Sequence, residues 1–156
     1  MSPDGYITIT GRIKDLIIRG GENIHPLEIE NCLLAHPAVG DISVVGVPDE
    51  RYGEVVATFV IPKEEQRQQG KEALGFEDDI KGWVRGNLSN HLGRFTPFCY
   101  LLYDVMGCAR LTFTIVPRYV FTLSPSDTLP KTASGKIQKF KLKEYAIRIL
   151  NENRPN

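Results

Sequence analysis

The residues of this chain that could do chemistry lie in two glycine-containing segments far apart in the sequence. The first, residues 11–30, holds the pair Gly20 and Gly21 between an apolar stretch and a helix-like stretch. The second, residues 129–137, is predicted to be flexible and places a lysine directly after a glycine. A lysine ammonium is a compact charge that can offset an anion, and glycine permits backbone angles that side chains forbid. Two such loops on one small domain predict a shared ligand.

The Gly135 and Lys136 pair also occurs in phosphate-binding P-loops, so that motif must be tested. A P-loop needs an earlier glycine five positions before Gly135 and a serine or threonine after the lysine. Pro130 and Ile137 occupy those positions. The sequence therefore excludes a P-loop, and the lysine must act in another setting.

Hydrophobic periodicity predicts alternating strands and helices along the chain. Strands are expected at 6–10, 16–18, 39–47, 53–61 and 119–123, with 53–61 central because it is rich in β-branched residues. A helix is expected from Pro26, with Asn23 or His25 as its cap, and it should stop before Pro37.

The remaining segments divide into loops and two further helices. Residues 63–79 are charged and poor in large apolar side chains, which predicts a solvated loop, whereas 80–88 carries apolar residues at helical spacing. Residues 124–135 are predicted to be a loop and 136–150 a closing helix. Its lysines predict a solvated face rather than a nucleic-acid site: Lys136, Lys139, Lys141 and Lys143.

Composition describes one ordinary globular domain. The chain has 156 residues, 42% hydrophobic and 24% charged, and its nineteen basic and nineteen acidic residues give no net charge to attract nucleic acid. Cys32, Cys99 and Cys108 are too few and too irregularly spaced for a disulfide framework or a zinc site, so we expect buried thiols in a reducing compartment. The sequence shows neither a signal-peptide pattern at Met1 nor a peroxisomal signal at Asn156, so we expect an intracellular, cytoplasmic protein.

Taken together and in this order, the two segments resemble the C-terminal domain of the adenylate-forming, or AMP-binding, enzymes. This superfamily contains acyl-CoA synthetases, firefly-type luciferases and peptide-synthetase adenylation domains. The sequence of residues 20–26, Gly-Gly-Glu-Asn-Ile-His-Pro, is most similar to the corresponding sequence in fatty-acyl and related acyl-CoA synthetases. The resemblance implies an α+β fold with a small, mainly antiparallel sheet flanked by helices.

The resemblance also implies a role for each candidate residue. Lys136 matches the catalytic lysine of adenylation and would contact the nucleotide. Lys14 matches the hinge position, and Arg12 matches an arginine that contacts the nucleotide. Gly20 and Gly21 would line the coenzyme A channel when the domain swings. ATP, Mg²⁺ and the carboxylic acid would be bound mainly by the family's N-terminal domain, so no metal ligands are expected in this chain.

Residues 93–115 depart from the family pattern, in which 88–92 runs directly into 116–121. We interpret this segment as a retained intron or gene-model error, and a genuine extra element is the alternative. It cannot span a membrane, because Asp104, Gly107 and Arg110 interrupt the apolar run. The segment is unusually rich in large apolar side chains: Phe95, Phe98, Tyr100, Leu101, Leu102, Tyr103 and Phe113.

The chain is therefore expected to be the mobile C-terminal domain of such an enzyme, a lid, without the N-terminal domain that holds most of the active site. Residues 1–22 would form a hinge and glycine-loop segment that joins a missing N-terminal domain, 23–145 the C-terminal domain, and 146–156 a tail. The expected partners are that N-terminal domain, a small carboxylic acid, ATP and coenzyme A. Two alternatives remain at this point: a free-standing or truncated domain that binds a partner and catalyses nothing, and a peptide-synthetase adenylation domain.

Overall fold

The computed structural model describes residues 11–63, 73–92, 115–124 and 128–152. The strand expected at 6–10 and residues 93–114 of the atypical segment lie outside these ranges. The described elements, in chain order, are a short 3₁₀ turn (Ile13–Asp15), β1 (Ile17–Arg19), β2 (Glu22–Ile24), α1 (Pro26–Leu34), β3 (Val39–Asp49), β4 (Gly53–Pro62), α2 (Ala73–Leu92), β5 (Tyr119–Thr122) and α3 (Lys139–Glu152).

The long hairpin β3–β4 is the centre of the fold. Its register runs from Asp41 opposite Ile61 to Asp49 opposite Gly53. Both strands are buried over six consecutive residues, because helices cover both faces of the hairpin. The prediction that 53–61 forms a central strand is confirmed, since β4 pairs with β3 on one edge and with β1 and β5 on the other.

The sheet is mainly antiparallel, as expected. Its strand order is β2-β1-β4-β3, and β5 pairs with β4 in parallel beyond the point where β1 ends. Regular pairing between β1 and β4 consists of one ladder pair in the described residues, Arg19 opposite Gly53. The hairpin β1–β2 is therefore attached to the main sheet at one end of β4.

Helices pack on both faces of this sheet, which confirms the predicted α+β architecture. On one face, Ile29 and Leu33 of α1 and Ile80 and Val84 of α2 form a buried cluster with Val56. The second cluster, on the other face, brings the following residues together: Val45, Val47, Val55, Ala57, Phe59, Leu129, Leu142 and Ala146. Alternate residues of β3 and β4 supply the two clusters, as expected for a sheet covered on both sides.

Helix α1 confirms the prediction from Pro26. It begins there and ends at Leu34, and His25 occupies the cap position without a side-chain cap hydrogen bond. Asn23, the other predicted cap, lies instead in β2 opposite Ile18. The sequence did not reveal β2, because only Ile24 of its three residues is buried.

The solvated loop predicted at 63–79 is wrong over 73–79, where α2 has already begun. Phe76 packs against the first core cluster, and Lys81 pairs with Glu77 one turn away. These two contacts stabilise helical turns whose charged composition favoured a loop. No helix in the described ranges is long and apolar enough to cross a membrane.

Helix α3 begins at Lys139, three residues later than predicted, and continues to Glu152. It therefore runs past the tail boundary expected after residue 145, and Ala146 is fully buried. Its lysines are not simply a solvated face. Lys139 pairs with Glu30 at 2.8 Å, and Lys143 pairs with Glu54 at 2.7 Å. Glu30 of α1 and Glu54 of β4 therefore hold α3 at two separate points.

Candidate functional site

Gly20 and Gly21 form the two-residue turn of the hairpin β1–β2. Arg19 pairs with Glu22 on either side of the turn. Both glycines have positive φ, 58° and 88°, which is the backbone of a type I′ turn. This turn matches the twist of the flanking strands, and it favours glycine at both central positions.

The hairpin carrying these glycines is held firmly at its base. Ile17 and Ile24 are buried in the first core cluster, and the Gly20 N–H donates to the Tyr52 carbonyl oxygen at 2.8 Å. A Cβ added at Gly21 would meet no atom within 4 Å. In this domain Gly21 is therefore required by its backbone angle, and the space beside it is open.

Lys136 lies in a second, hydrogen-bonded hairpin. Lys131 and Ile137 form an isolated antiparallel bridge, and the Thr132 N–H donates to the Lys136 carbonyl oxygen at 2.8 Å. The Thr132 hydroxyl oxygen accepts the Lys136 N–H at 3.1 Å, and Gly135 closes the turn with a φ of 80°. The segment expected to be a flexible loop contains this hydrogen-bonded hairpin, the lysine hairpin, residues 131–137.

Contacts at its base attach the lysine hairpin to the sheet. Leu129 is buried in the second core cluster, and the Lys131 ammonium pairs with Asp41 at 3.1 Å. The Lys136 side chain is exposed. Within the described ranges, no carboxylate lies within ion-pair distance of its ammonium. Lys136 therefore carries an exposed ammonium on a hairpin whose backbone is held by hydrogen bonds.

The two hairpins lie at opposite ends of the central β3–β4 ribbon. The lysine hairpin is tied to Asp41, and the glycine hairpin is attached beside Gly53, which pairs with Asp49. Eight residues of extended strand separate Asp41 from Asp49, which is about 26 Å at ~3.3 Å per residue. The two loops cannot hold one small ligand at the same time, so the simple expectation of a shared ligand is not met in this arrangement.

Arg12 and Lys14 lie at the short 3₁₀ turn that precedes β1. Both side chains are exposed, and neither forms an ion pair with a residue that the structure describes. The turn itself is held by two backbone bonds, from the Asp15 N–H to the Arg12 carbonyl and from the Leu16 N–H to the Ile13 carbonyl. The geometry does not bring Arg12 or Lys14 to either hairpin loop through any hydrogen bond or ion pair among the described residues.

An open cleft of about 870 Å³ lies at the same end of the sheet as the glycine hairpin. Asp49 organises it: its carboxylate accepts the N–H groups of Arg51 and Tyr52 and pairs with Arg118 at 2.7 Å. Burial acts to raise the pKa of Asp49, but these N–H groups and the Arg118 charge together hold it below its ordinary value. Sequence reasoning missed this pair, since 69 residues separate its members.

The cysteines and the other side chains that could bind a metal form no additional site among the described residues. Cys32 is a free, partly buried thiol whose pKa is raised by loss of solvation, while Cys99 and Cys108 lie outside the described residues. In the part of the chain that the structure describes, no three His, Cys, Asp or Glu side chains group as metal ligands. The described residues therefore hold no ready-made cluster of three metal ligands, whereas the exposed Lys136 ammonium fits an anionic ligand.

Comparison with known proteins agrees with this geometry. Residues 28–104 match the family described as the AMP-binding enzyme C-terminal domain, and the matched span ends inside the atypical segment. The chain is 41% identical over 149 residues to the acyl-CoA ligase SID4 of Ajellomyces capsulatus, covering 96% of this chain and 21% of that protein. It is 40% identical over 136 residues to the oxalate–CoA ligase of Arabidopsis thaliana, covering 87% of this chain and 20% of that one.

Solved structures give the same result. ATP-bound MatB from Rhodopseudomonas palustris superposes with a TM-score of 0.64 at 28% identity, over 94% of this chain and 23% of that chain. A fatty acyl CoA synthetase of Mycobacterium tuberculosis superposes with a TM-score of 0.59 at 29% identity, over 92% and 22%. The chain spans about a fifth of the length of the curated relatives it matches. On its fold, its two loop motifs and these matches, the chain belongs to the AMP-binding enzyme C-terminal domain family, and its relatives are acyl-CoA synthetases and ligases.

Proposed function

We propose that this domain works in an acyl-CoA synthetase, which adenylates a carboxylic acid with ATP and then transfers the acyl group to coenzyme A. The domain would act together with an N-terminal AMP-binding domain that holds most of the ATP, Mg²⁺ and carboxylic acid contacts. The relatives include an acyl-CoA ligase and an oxalate–CoA ligase, which supports a thioester-forming reaction.

Lys136 is proposed as the catalytic residue of the first half-reaction. Adenylation joins a carboxylate to the α-phosphate of ATP. Two anions are therefore brought together, and their negative charge must be offset. An exposed ammonium on a hydrogen-bonded hairpin is suited to this task, because a preorganised charge needs little reorganisation when it meets the reacting phosphate. Arg12 is proposed to contact the same nucleotide through its guanidinium.

Gly20 and Gly21 are proposed to line the channel through which coenzyme A reaches the acyl-adenylate. A type I′ turn without side chains leaves a narrow passage open, and the space beside Gly21 is empty in this domain. Lys14 is proposed as the hinge. Its short 3₁₀ turn has two backbone hydrogen bonds and an exposed lysine, so a change of backbone angle there disturbs little packing.

The observation that carries this proposal is the placement of the lysine and glycine hairpins at opposite ends of β3–β4. Loops whose points of attachment lie about 26 Å apart along one ribbon can serve the same active site only in turn. A rotation of the whole domain between the two half-reactions would present first Lys136 and then the glycine turn. Rigid-body rotation about a short joint is a common way for domains to switch between two functional contacts.

The test joins the 156-residue chain to the C-terminal end of an N-terminal AMP-binding domain from an acyl-CoA ligase relative. Pyrophosphate exchange measures adenylation, and acyl-CoA formation from supplied acyl-adenylate measures the second step. We expect both activities in the fusion and only weak activity in the N-terminal domain alone. A folded fusion that gains neither activity would instead favour a domain that binds a partner without catalysis.

A further inference from the structure

The carboxylate of Glu54 joins two elements that belong to different parts of the fold. One oxygen, Oε2, accepts the backbone N–H of Ile18 in β1 at 3.1 Å. The other, Oε1, lies 2.7 Å from the ammonium of Lys143 in α3. The Glu54 side chain is 26% exposed, and its bond to Lys143 is partly buried while its bond to Ile18 is exposed. Both bonds involve an ionised carboxylate, and such charge-assisted hydrogen bonds are stronger than neutral ones.

The contact with Ile18 matters because regular strand pairing between β1 and β4 is short, although Ile17 of β1 is buried in the first core cluster. Arg19 opposite Gly53 is the one ladder pair between these strands, and the Gly20 N–H to Tyr52 adds one bond beside it. The next N–H along β1, that of Ile18, finds a side-chain carboxylate in place of a strand carbonyl. Glu54 therefore continues the attachment of β1 to β4 by one residue beyond the place where regular pairing stops.

The neighbouring strand makes room for this carboxylate. A Cβ added at Gly46 of β3 would lie 2.9 Å from the Oε2 atom of Glu54 and 3.2 Å from the Cγ1 atom of Ile17. Real Cβ atoms do not approach a carboxylate oxygen this closely, so a side chain at Gly46 would displace either Glu54 or β1. The absence of a side chain at Gly46 is thus matched to the position of the Glu54 carboxylate.

We propose that Glu54 is a positioning residue for the glycine hairpin β1–β2. Its carboxylate fixes where β1 sits against the sheet, and so sets where Gly20 and Gly21 are presented to coenzyme A. Lys143 holds the carboxylate in that orientation from α3. This inference rests on the proposed thioester-forming role of the hairpin for its functional consequence, but the positioning itself can be measured without any activity.

Amide hydrogen exchange on the full 156-residue chain tests the positioning. In Glu54→Leu the Ile18 amide is expected to exchange at least about tenfold faster relative to Val45, because it loses a charged acceptor. Glu54→Gln keeps an oxygen acceptor and should restore part of the protection. Lys143→Met keeps the carboxylate but frees it, and should give a smaller acceleration that still exceeds about twofold.

The matched control is Glu77→Leu, which removes another half-buried ion pair, with Lys81, far from β1 along the chain. It should leave Ile18 exchange as in the wild type. Ile18 protection that is unchanged in Glu54→Leu would overturn the proposal. If Glu54→Leu does not fold, unchanged protection in Lys143→Met and Glu54→Gln together would overturn it.

The functional consequence is tested in the fusion with an N-terminal AMP-binding domain. Glu54→Leu should lower acyl-CoA formation from supplied acyl-adenylate about tenfold, the size of one charge-assisted hydrogen bond, and change pyrophosphate exchange by less than about twofold. Equal loss in both half-reactions would show that Glu54 is merely structural. A wild-type fusion that makes no acyl-CoA would contradict the proposed function, while the exchange measurement would still decide the positioning.

Discussion

The Oε1 atom of Glu30 lies 2.8 Å from the Lys139 ammonium and accepts the Val44 N–H, also at 2.8 Å. Glu30 belongs to α1 and Lys139 to α3, and these helices pack on opposite faces of the sheet. Val44 lies on β3, the strand at the edge of the sheet order. One carboxylate therefore ties both helices to this edge. Lys139 also begins α3, where a cation is unfavourable for the helix dipole, and Glu30 offsets it.

We predict that Glu30→Ala lowers the free energy of unfolding of the chain by about 1–3 kcal/mol, the cost of removing a charged acceptor from a partly buried N–H. Urea denaturation followed by circular dichroism measures this loss. The control is Glu77→Ala, whose ion pair within one helix should contribute only about 0.3–0.5 kcal/mol. Equal effects of the two substitutions would show that Glu30 is an ordinary surface charge.

The depressed pKa of Asp49 gives a stability difference that depends on pH. Asp49→Ala should lower the free energy of unfolding by about 1–3 kcal/mol at pH 7, since the N–H groups of Arg51 and Tyr52 and the Arg118 guanidinium lose their acceptor. Because the folded pKa lies below the unfolded one, this stabilisation is complete above pH ~4. It is lost as the pH falls through the folded pKa.

Denaturation curves at pH 7 and at pH 3 check this prediction. The gap between wild type and Asp49→Ala should be constant from pH 7 to about pH 5 and should shrink in acid. A gap that stays constant down to pH 3 would mean that the carboxylate acts through packing and not through its charge.

The central ribbon and α1 could be predicted from sequence because their signals are local. The β-branched residues of 53–61 indicate a buried strand, and Pro26 marks the start of a helix. The early start of α2 could not be predicted, since Phe76 packs on the core from a stretch whose composition is otherwise mostly charged or small. The three-residue strand β2 was hidden for the same reason, because only Ile24 is buried.

The sequence motifs identified the two loops but did not predict their geometry. The lysine hairpin depends on a hydroxyl of Thr132 and on an ion pair from Lys131 to Asp41, 90 residues away. Hydrophobic periodicity carries no information on such bonds. The same holds for the separation of the two loops, which follows from the register of β3 against β4 and could not be known before the hairpin was paired.

The hinge assignment predicts that Lys14→Pro separates the two half-reactions. The residue before a proline avoids the helical region, and Ile13 here begins a 3₁₀ turn, so proline at position 14 disfavours this backbone. Whichever pose needs the turn should become inaccessible, and one half-reaction should fall by orders of magnitude while the other persists. Lys14→Ala keeps the backbone free and should change both by less than about threefold.

Pyrophosphate exchange and acyl-CoA formation are measured side by side in the fusion enzyme for both variants. Normal activity of Lys14→Pro in the two assays would remove Lys14 as the pivot. An equal loss in both assays, with the alanine variant also impaired, would assign Lys14 to folding or nucleotide contact instead.

The most direct test of the account is to remove each hairpin's function separately in the same fusion enzyme. Lys136→Ala should slow adenylation by on the order of 10² to 10³, the effect of losing one preorganised charge partner, and should spare thioester formation from supplied acyl-adenylate. Gly21→Val should do the reverse, because a side chain at φ 88° distorts the turn and enters the open space beside it. We expect opposite losses in the two variants. Parallel losses in both half-reactions, in either variant, would contradict the claim that the two ends of this domain serve the active site in turn.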